Sequence, residues 1–190
     1  MERGAVAGPP AVVSNVGMSH PIRFPERVAT EASHFVATLP YDPQSFLIDE
    51  VTEIDATTRR VDARVHTTKP IPLVDMQRGE AAHHPRHVNG GVLVHLTGML
   101  GLVHAYFLNG LRFDDGWIGF GSRIHRADFK RLVKIGPSLE LTSVQTKLRA
   151  GADRQVVRYE FRFSQEGALC YFGDQTAIWL RGRSFDGSED

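Results

Sequence analysis

Between Val92 and about Asn109 the chain places Val92, Leu93, Leu96, Met99, Leu100, Val103 and Phe107 on more than one stripe of a helical wheel, and Asn109-Gly110 supplies a C-terminal stop. A helix that is apolar nearly all round has no face to offer water, so it must be buried. The rest of the chain therefore has to wrap it. Gly98 and Gly101 sit inside this run at a cost of about 1 kcal/mol each against Ala, so a packed strand or a ligand is expected to come close there. His95, Thr97 and His104 also interrupt it, and no uninterrupted apolar run approaches the ~20 residues of a membrane span.

The flanks read as strands. Phe46 to Ile54 and Arg60 to Thr67 alternate, the second as Val61, Ala63 and Val65 against Asp62, Arg64 and His66, with Asp55-Ala56-Thr57-Thr58 as the hairpin turn. After the Phe113-Asp114-Asp115-Gly116 turn come Trp117 to Phe129, Ser138 to Leu148, Gln155 to Ser164 and Ala168 to Leu180. Their connections are rich in turn residues and short enough for antiparallel neighbours. Ser33 to Leu39 reads as a short helix ended by Pro40. This order predicts an α+β fold in which an antiparallel β-sheet wraps around one long central helix. Residues 1–32 are expected to be a flexible N-terminal arm, 33–181 the domain and 182–190 a C-terminal tail.

The length of 190 residues suits one domain with a real core. Lys+Arg and Asp+Glu both number 22, so charge makes no case for nucleic acid or an anionic membrane as a partner. Cys170 is the only cysteine, which excludes an internal disulfide and fits a reducing compartment, with the thiol buried in a strand. Gly8-Pro9-Pro10 and Ser14-Asn15 break any apolar core of a signal peptide, so the expected location is cytoplasmic.

From Lys69 to Asn89 the chain has three prolines, little alternation and much polarity, the marks of a long functional loop. That loop delivers His83-His84-Pro85-Arg86-His87-Val88-Asn89-Gly90-Gly91 to the helix start. Gly90 and Gly91 there leave backbone N–H groups unpaired at the positive end of the helix dipole, suited to a developing oxyanion. Asn89 can orient a water or add a donor. His83, His84 and His87 stand where a general base would come from, with His83 the first choice and His87 beside it. A metal held by His84 and His87 with Asp75 or Glu80 is set aside, because no His-x-x-x-His pair on a helix supports it. His95 lies one turn after Gly91 on the same face and either borders the ligand or serves the core; His104 faces away and reads as structural.

The order of elements and several local phrases resemble the hotdog superfamily of acyl-thioester enzymes. Leu39-Pro40 through Phe46-Leu47-Ile48-Asp49-Glu50-Val51 is similar to the opening of β-hydroxyacyl-ACP dehydratases, as is Asp128-Phe129-Lys130-Arg131-Leu132-Val133 followed by Gly136-Pro137. The likeness covers about residues 39 to 180. It implies a hotdog fold, a dimer or dimer-based oligomer with sites at the interface, and a substrate that itself carries coenzyme A or phosphopantetheine, with no further cofactor. His83-His84-Pro85-Arg86-His87 and Gly91-Val92-Leu93 can be laid on the dehydratase motif, but its helix carboxylate falls on Leu96. Asn89-Gly90-Gly91 falls where phenylacetate-type thioesterases carry His-Gly-Gly, and their helix acid maps near Gly98, beside Thr97, which can at most orient a water. On the long strand, His125 and Asp128 are candidates to serve a partner subunit's site, and Arg123, Arg126, Lys130 and Arg131 to meet the phosphates of acyl-CoA or an acyl carrier protein's pantetheine arm. The expectation is an acyl-thioester hydrolase. The alternatives are a 3-hydroxyacyl-thioester dehydratase or hydratase using His83 with an acid such as Asp128, and a non-catalytic acyl-thioester binding protein.

Overall fold

The long helix α2 spans Gly90–Asn109 and starts two residues before the first apolar position, because Asn89 caps it. The Asn89 Oδ1 accepts the Gly91 N–H at 2.7 Å, which satisfies one of the donors a helix leaves open at its start. Gly110 closes the other end at φ 67, in the left-handed region that favours glycine, and donates its N–H to Ala105 O. Leu96, Leu100, Val103 and Ala105 are fully buried. Each large aliphatic side chain so buried contributes about 1.5–3 kcal/mol. The helix would be long and apolar enough to cross a bilayer, yet 67% of that stretch is buried inside the protein.

The computed structural model describes residues 22–79 and 83–182; residues 1–21 of the expected arm, 183–190 of the expected tail and Glu80 lie outside the described residues. In chain order the elements are α1 (Ala29–Thr38), β1 (Glu50–Asp55), β2 (Arg60–Val65), β3 (His87–Val88), α2, β4 (Trp117–Phe129), β5 (Val133–Lys134), β6 (Leu139–Ala150), β7 (Arg154–Gln165) and β8 (Ala168–Arg181). Six strands form one antiparallel sheet in the order β1-β2-β6-β7-β8-β4, while β3 and β5 make a separate two-residue pair. Its inward residues close on α2: Val61, Leu139, Val157 and Phe163 are each fully buried.

One sequence expectation is corrected. The connection from β4 to β6 is short, but the two strands are not neighbours. β4 lies at the sheet edge and pairs along its length with β8, from Trp117 opposite Arg181 to Phe129 opposite Tyr171, while β6 lies between β2 and β7. The intervening chain carries β5 to its pairing with β3, so this connection passes in front of the helix start. β8 has two long partners, and the matched lengths of β4 and β8 prevail over proximity in sequence.

The expected short helix is α1, and it begins at Ala29 rather than Ser33. Its fully buried Phe35 packs on Tyr106 at 5.0 Å between ring centroids, with Phe46 at 5.8 Å and Phe107 at 5.5 Å. Ahead of α1, Arg23 bonds the backbone of Asp49 and Val51, and Phe24 packs edge-on against Phe35 and at a tilt against Phe107. An aromatic plug thus seals the C-terminal half of α2.

Candidate active site

Where α2 begins, the wall opens. His87, Gly90 and Leu93 border a groove of about 440 Å³ whose far side is Phe129, Lys130, Arg131 and Leu132. The Phe129 ring lies so close to Gly90 that a Cβ there would stand 2.9 Å from it. Glycine at this position is therefore what lets the strand end approach the helix dipole. The Gly90 N–H has no partner among the described residues, whereas the Gly91 N–H is taken by Asn89. Of the two expected oxyanion donors only Gly90 is open, and Asn89 is committed through its oxygen to the cap, leaving its amide N–H groups for a ligand.

Of the loop histidines, the structure brings His87 and not His83 to Gly90. The Gln77 amide clamps the His87 backbone from both sides, at 2.8 Å to its oxygen and 3.1 Å from its nitrogen. The His87 Nδ1 lies 3.0 Å from Pro85 O. A carbonyl oxygen only accepts, so the proton belongs on Nδ1 and Nε2 presents a lone pair. His83 is exposed, at φ 53, in a separate hollow with Arg78, Gly79 and Arg86. His84 is exposed as well, its ring 4.9 Å from that of His87. Asp75 is exposed beside Arg86. Among the described residues no group of three His, Cys, Asp or Glu side chains is arranged to hold a metal ion.

Further along α2, His95 Nε2 lies 2.9 Å from Ser45 O, so it acts as a strut that ties the 3-10 turn Pro43–Ser45 to the helix. Thr97 is buried, its hydroxyl 2.6 Å from Val94 O and 3.0 Å from the Gln175 amide, whose other end reaches the Tyr171 hydroxyl at 3.1 Å. Leu96 is wholly buried and Gly98 faces open space, so neither carboxylate position of the two enzyme branches is filled. His104 is fully buried, with Nδ1 3.0 Å from Ser143 Oγ, and burial, with Arg59 adding to it, pushes its imidazole down to about 3. It stays neutral, as a core residue should.

On β4, His125 bonds the Thr176 hydroxyl at 2.8 Å. Asp128 is gripped by Arg126 at 2.6 Å and Lys130 at 3.0 Å, and these bonds hold its carboxyl below the usual range. A carboxylate so held favours its ionised form, which makes it a poor proton donor. Arg126 lies over the Phe172 ring at 5.2 Å, while Arg123 and Arg131 make no ion pair among the described residues. Sequence reasoning missed Gln77 and Phe129. Gln77 carries no local signal, since its role is a contact ten residues away. Phe129 lies in the Asp128-to-Val133 segment, but its seat on Gly90 is a long-range contact.

No protein-family model and no curated protein matches the sequence. Solved structures match in fold. A single-residue variant of a thioesterase from Pseudomonas aeruginosa aligns with a TM-score of 0.53 at 14% identity, covering 78% of this chain and 93% of that one. A dehydratase heterocomplex from Xenorhabdus doucetiae aligns at 0.54 and 13% identity, over 77% of this chain and 90% of that one. AziG of S. sahachiroi aligns at 0.50 and 18% identity, over 72% and 93%. At these identities the likeness is one of fold.

Proposed function

We propose that this chain, which has the hotdog fold, hydrolyses acyl thioesters in the groove at the N-terminal end of α2. The observation that carries the reading is that Gly90, whose N–H is unpartnered among the described residues, and His87, whose Nδ1 is held by Pro85 O, border the same groove. The thioester carbonyl oxygen accepts the Gly90 N–H, reinforced by the helix dipole and by the free Asn89 amide hydrogens. His87 takes a proton from water as the hydroxide equivalent attacks the carbonyl carbon. The tetrahedral intermediate collapses with cleavage of the carbon–sulfur bond, and the imidazolium returns its proton to the departing thiolate. The basic rim of Lys130 and Arg131 suits the phosphates of coenzyme A or of a carrier protein's pantetheine arm. Dehydration of 3-hydroxyacyl thioesters is disfavoured by the ion-paired Asp128 and the buried Leu96.

The working unit in this reading is a homodimer. β4 is a 13-residue edge strand that shows solvent Ile118, Phe120 and Ile124 along its length. A long apolar edge invites a further strand, and the β4 of a second copy fits it across a two-fold axis. His125 and Arg123 would then stand at the interface.

The test is thiol release from short, medium, long and aromatic acyl-CoAs, with His87→Gln and His83→Gln side by side. The expected outcome is a fall of about 100-fold or more in kcat/KM for His87→Gln, and less than threefold for His83→Gln. Equal loss in both, or no release from any ester by the unmodified protein, would remove this reading.

A further inference from the structure

Past the end of β4, every residue from Lys130 to Ile135 except Val133 is exposed. Leu132 is 52% open to solvent and Ile135 37%. Lys130, Arg131 and Lys134 stand among them. Arg86 joins this group, because the antiparallel register that sets Lys134 opposite His87 brings Arg86 to the Ile135 end of the β3–β5 ribbon. Val88 and Val133, a buried pair, pin the other face of the ribbon to the core. Since Lys134 opposes His87 and Leu132 borders the groove, this surface begins at the mouth of the proposed site. It lies beyond Phe129, where β4 ends, and so outside the strand pairing proposed for two copies.

The backbone beneath these side chains is held in place. The buried Gln165 amide accepts the Lys134 N–H at 2.9 Å and donates to Lys134 O at 2.9 Å and to Pro137 O at 2.7 Å. The buried Thr67 hydroxyl accepts the Gly136 N–H at 2.9 Å and donates to Pro137 O at 2.8 Å. The Lys130 N–H bonds Cys170 O at 2.8 Å. An ordered backbone that carries exposed apolar groups gives up little further entropy when something covers it. The free charge on this surface is positive. Arg131 and Lys134 make no ion pair among the described residues, and Lys130 shares Asp128 with Arg126. The acids at the margin are Asp75, 3.8 Å from Arg86, and Glu166, which follows Gln165 in the chain.

We infer that this surface docks the acidic face of an acyl carrier protein, so that the thioester enters the groove on a protein-borne pantetheine arm rather than on coenzyme A. The inference rests on the acyl-thioester reading above and adds to it the carrier. Cations alone would suit the phosphates of either carrier. Leu132 and Ile135 make the difference: a phosphate leaves them in water, whereas apolar groups ringed by charge are the anatomy of a protein interface. Carboxylates of the carrier meet Arg86, Arg131 and Lys134, its apolar contact covers Leu132 and Ile135, and the arm follows the groove that Lys130 and Gly90 border. Opposite charge on the two surfaces speeds encounter and selects the partner.

The experiment loads the same short, medium and long acyl groups on a panel of acidic acyl carrier proteins and on coenzyme A. It follows hydrolysis and, by calorimetry, the binding of holo carriers and of apo carriers, which lack the arm. At least one carrier ester is expected to exceed its CoA counterpart about tenfold or more in kcat/KM, and its apo carrier to bind within about fivefold of the holo form. Lys134→Gln combined with Ile135→Ser changes two exposed side chains and should leave Tm unchanged. The double variant is expected to cost carrier esters about tenfold or more through KM, with kcat and the CoA esters changed less than about twofold. Equal loss for both carriers, no preference for the carrier protein, or no binding of any apo carrier would overturn the inference and leave the thioesterase reading standing. Carrier binding that is lost in the double variant, with no hydrolysis of any ester, would do the reverse. A change in the oligomeric state of the double variant, read by sedimentation, would assign the surface to a second copy and overturn the inference as well.

Discussion

At its N-terminal end α2 meets a polar loop, a cap made by one asparagine side chain and an open groove; at its C-terminal end the same helix is packed against Phe24, Phe35, Phe46 and Phe113. The residues at the first end hold hydrogen-bonding capacity in reserve, in the Gly90 N–H and the His87 ring. Those at the second are chiefly packed: Phe35 is wholly enclosed, and His104 meets Ser143 through Nδ1 while its Nε2 is buried without a partner among the described residues. One helix thus joins a region that can be altered at little cost in stability to one that cannot. Stability and chemistry should separate along it when each end is perturbed.

The largest expected effect is at the closed end. Phe35→Ala removes a fully buried ring that contacts Phe24, Phe46, Tyr106, Phe107 and Phe113, and should cost about 3–5 kcal/mol in urea unfolding. Activity per folded molecule should change less than threefold; a specific loss of catalysis would break the division between the ends. Next is the response to acid. The folded protein keeps His104 neutral to about pH 3, against 6.5 for the free side chain. Below about 6.5 the unfolded chain therefore binds a proton that the folded one refuses, and stability falls by about 1.4 kcal/mol per pH unit from this group, until the folded imidazole also titrates. Between pH 6.5 and 4.5 the loss of unfolding free energy should be about 2 kcal/mol smaller in His104→Gln than in the unmodified protein, and equal losses would show that the histidine is not held neutral. The smallest effect is at the open end. Asn89→Ala removes the cap and should lower stability by about 1 kcal/mol, read by urea unfolding. Because it deletes the amide donors aimed at the developing oxyanion, it should lower kcat more than it raises KM, with the freed Gly91 N–H limiting the loss. A loss above about 3 kcal/mol would show that the open end bears the fold as well.

Much of the architecture was legible in the chain because it is written in local period. Alternation over Arg60 to Thr67 gives β2, and the turn residues at Ala150-Gly151-Ala152-Asp153 and Gln165-Glu166-Gly167 separate β6, β7 and β8 where they do in space. The site was legible only in outline. Asn89, Gly90 and Gly91 announced a helix start with donors, but which donor stays open depends on the Asn89 rotamer. The choice of His87 over His83 depends on a clamp from Gln77, and no period along the chain encodes that contact.

The sequence by itself determined that a helix apolar on all sides would be wrapped by strands, because no other arrangement removes so many apolar side chains from water. It also determined where the chain turns, since glycine, proline and the Asx residues act over three or four positions. Only the tertiary structure decided that β4 takes the sheet edge beside β8, and that His95 Nε2 meets the Ser45 carbonyl. It also decided that Gly98 and Gly101 open on a cavity with Tyr159 and Trp179 at its floor. Those outcomes depend on which distant surfaces meet, and contact between residues 60 or 80 positions apart follows from packing the whole sheet.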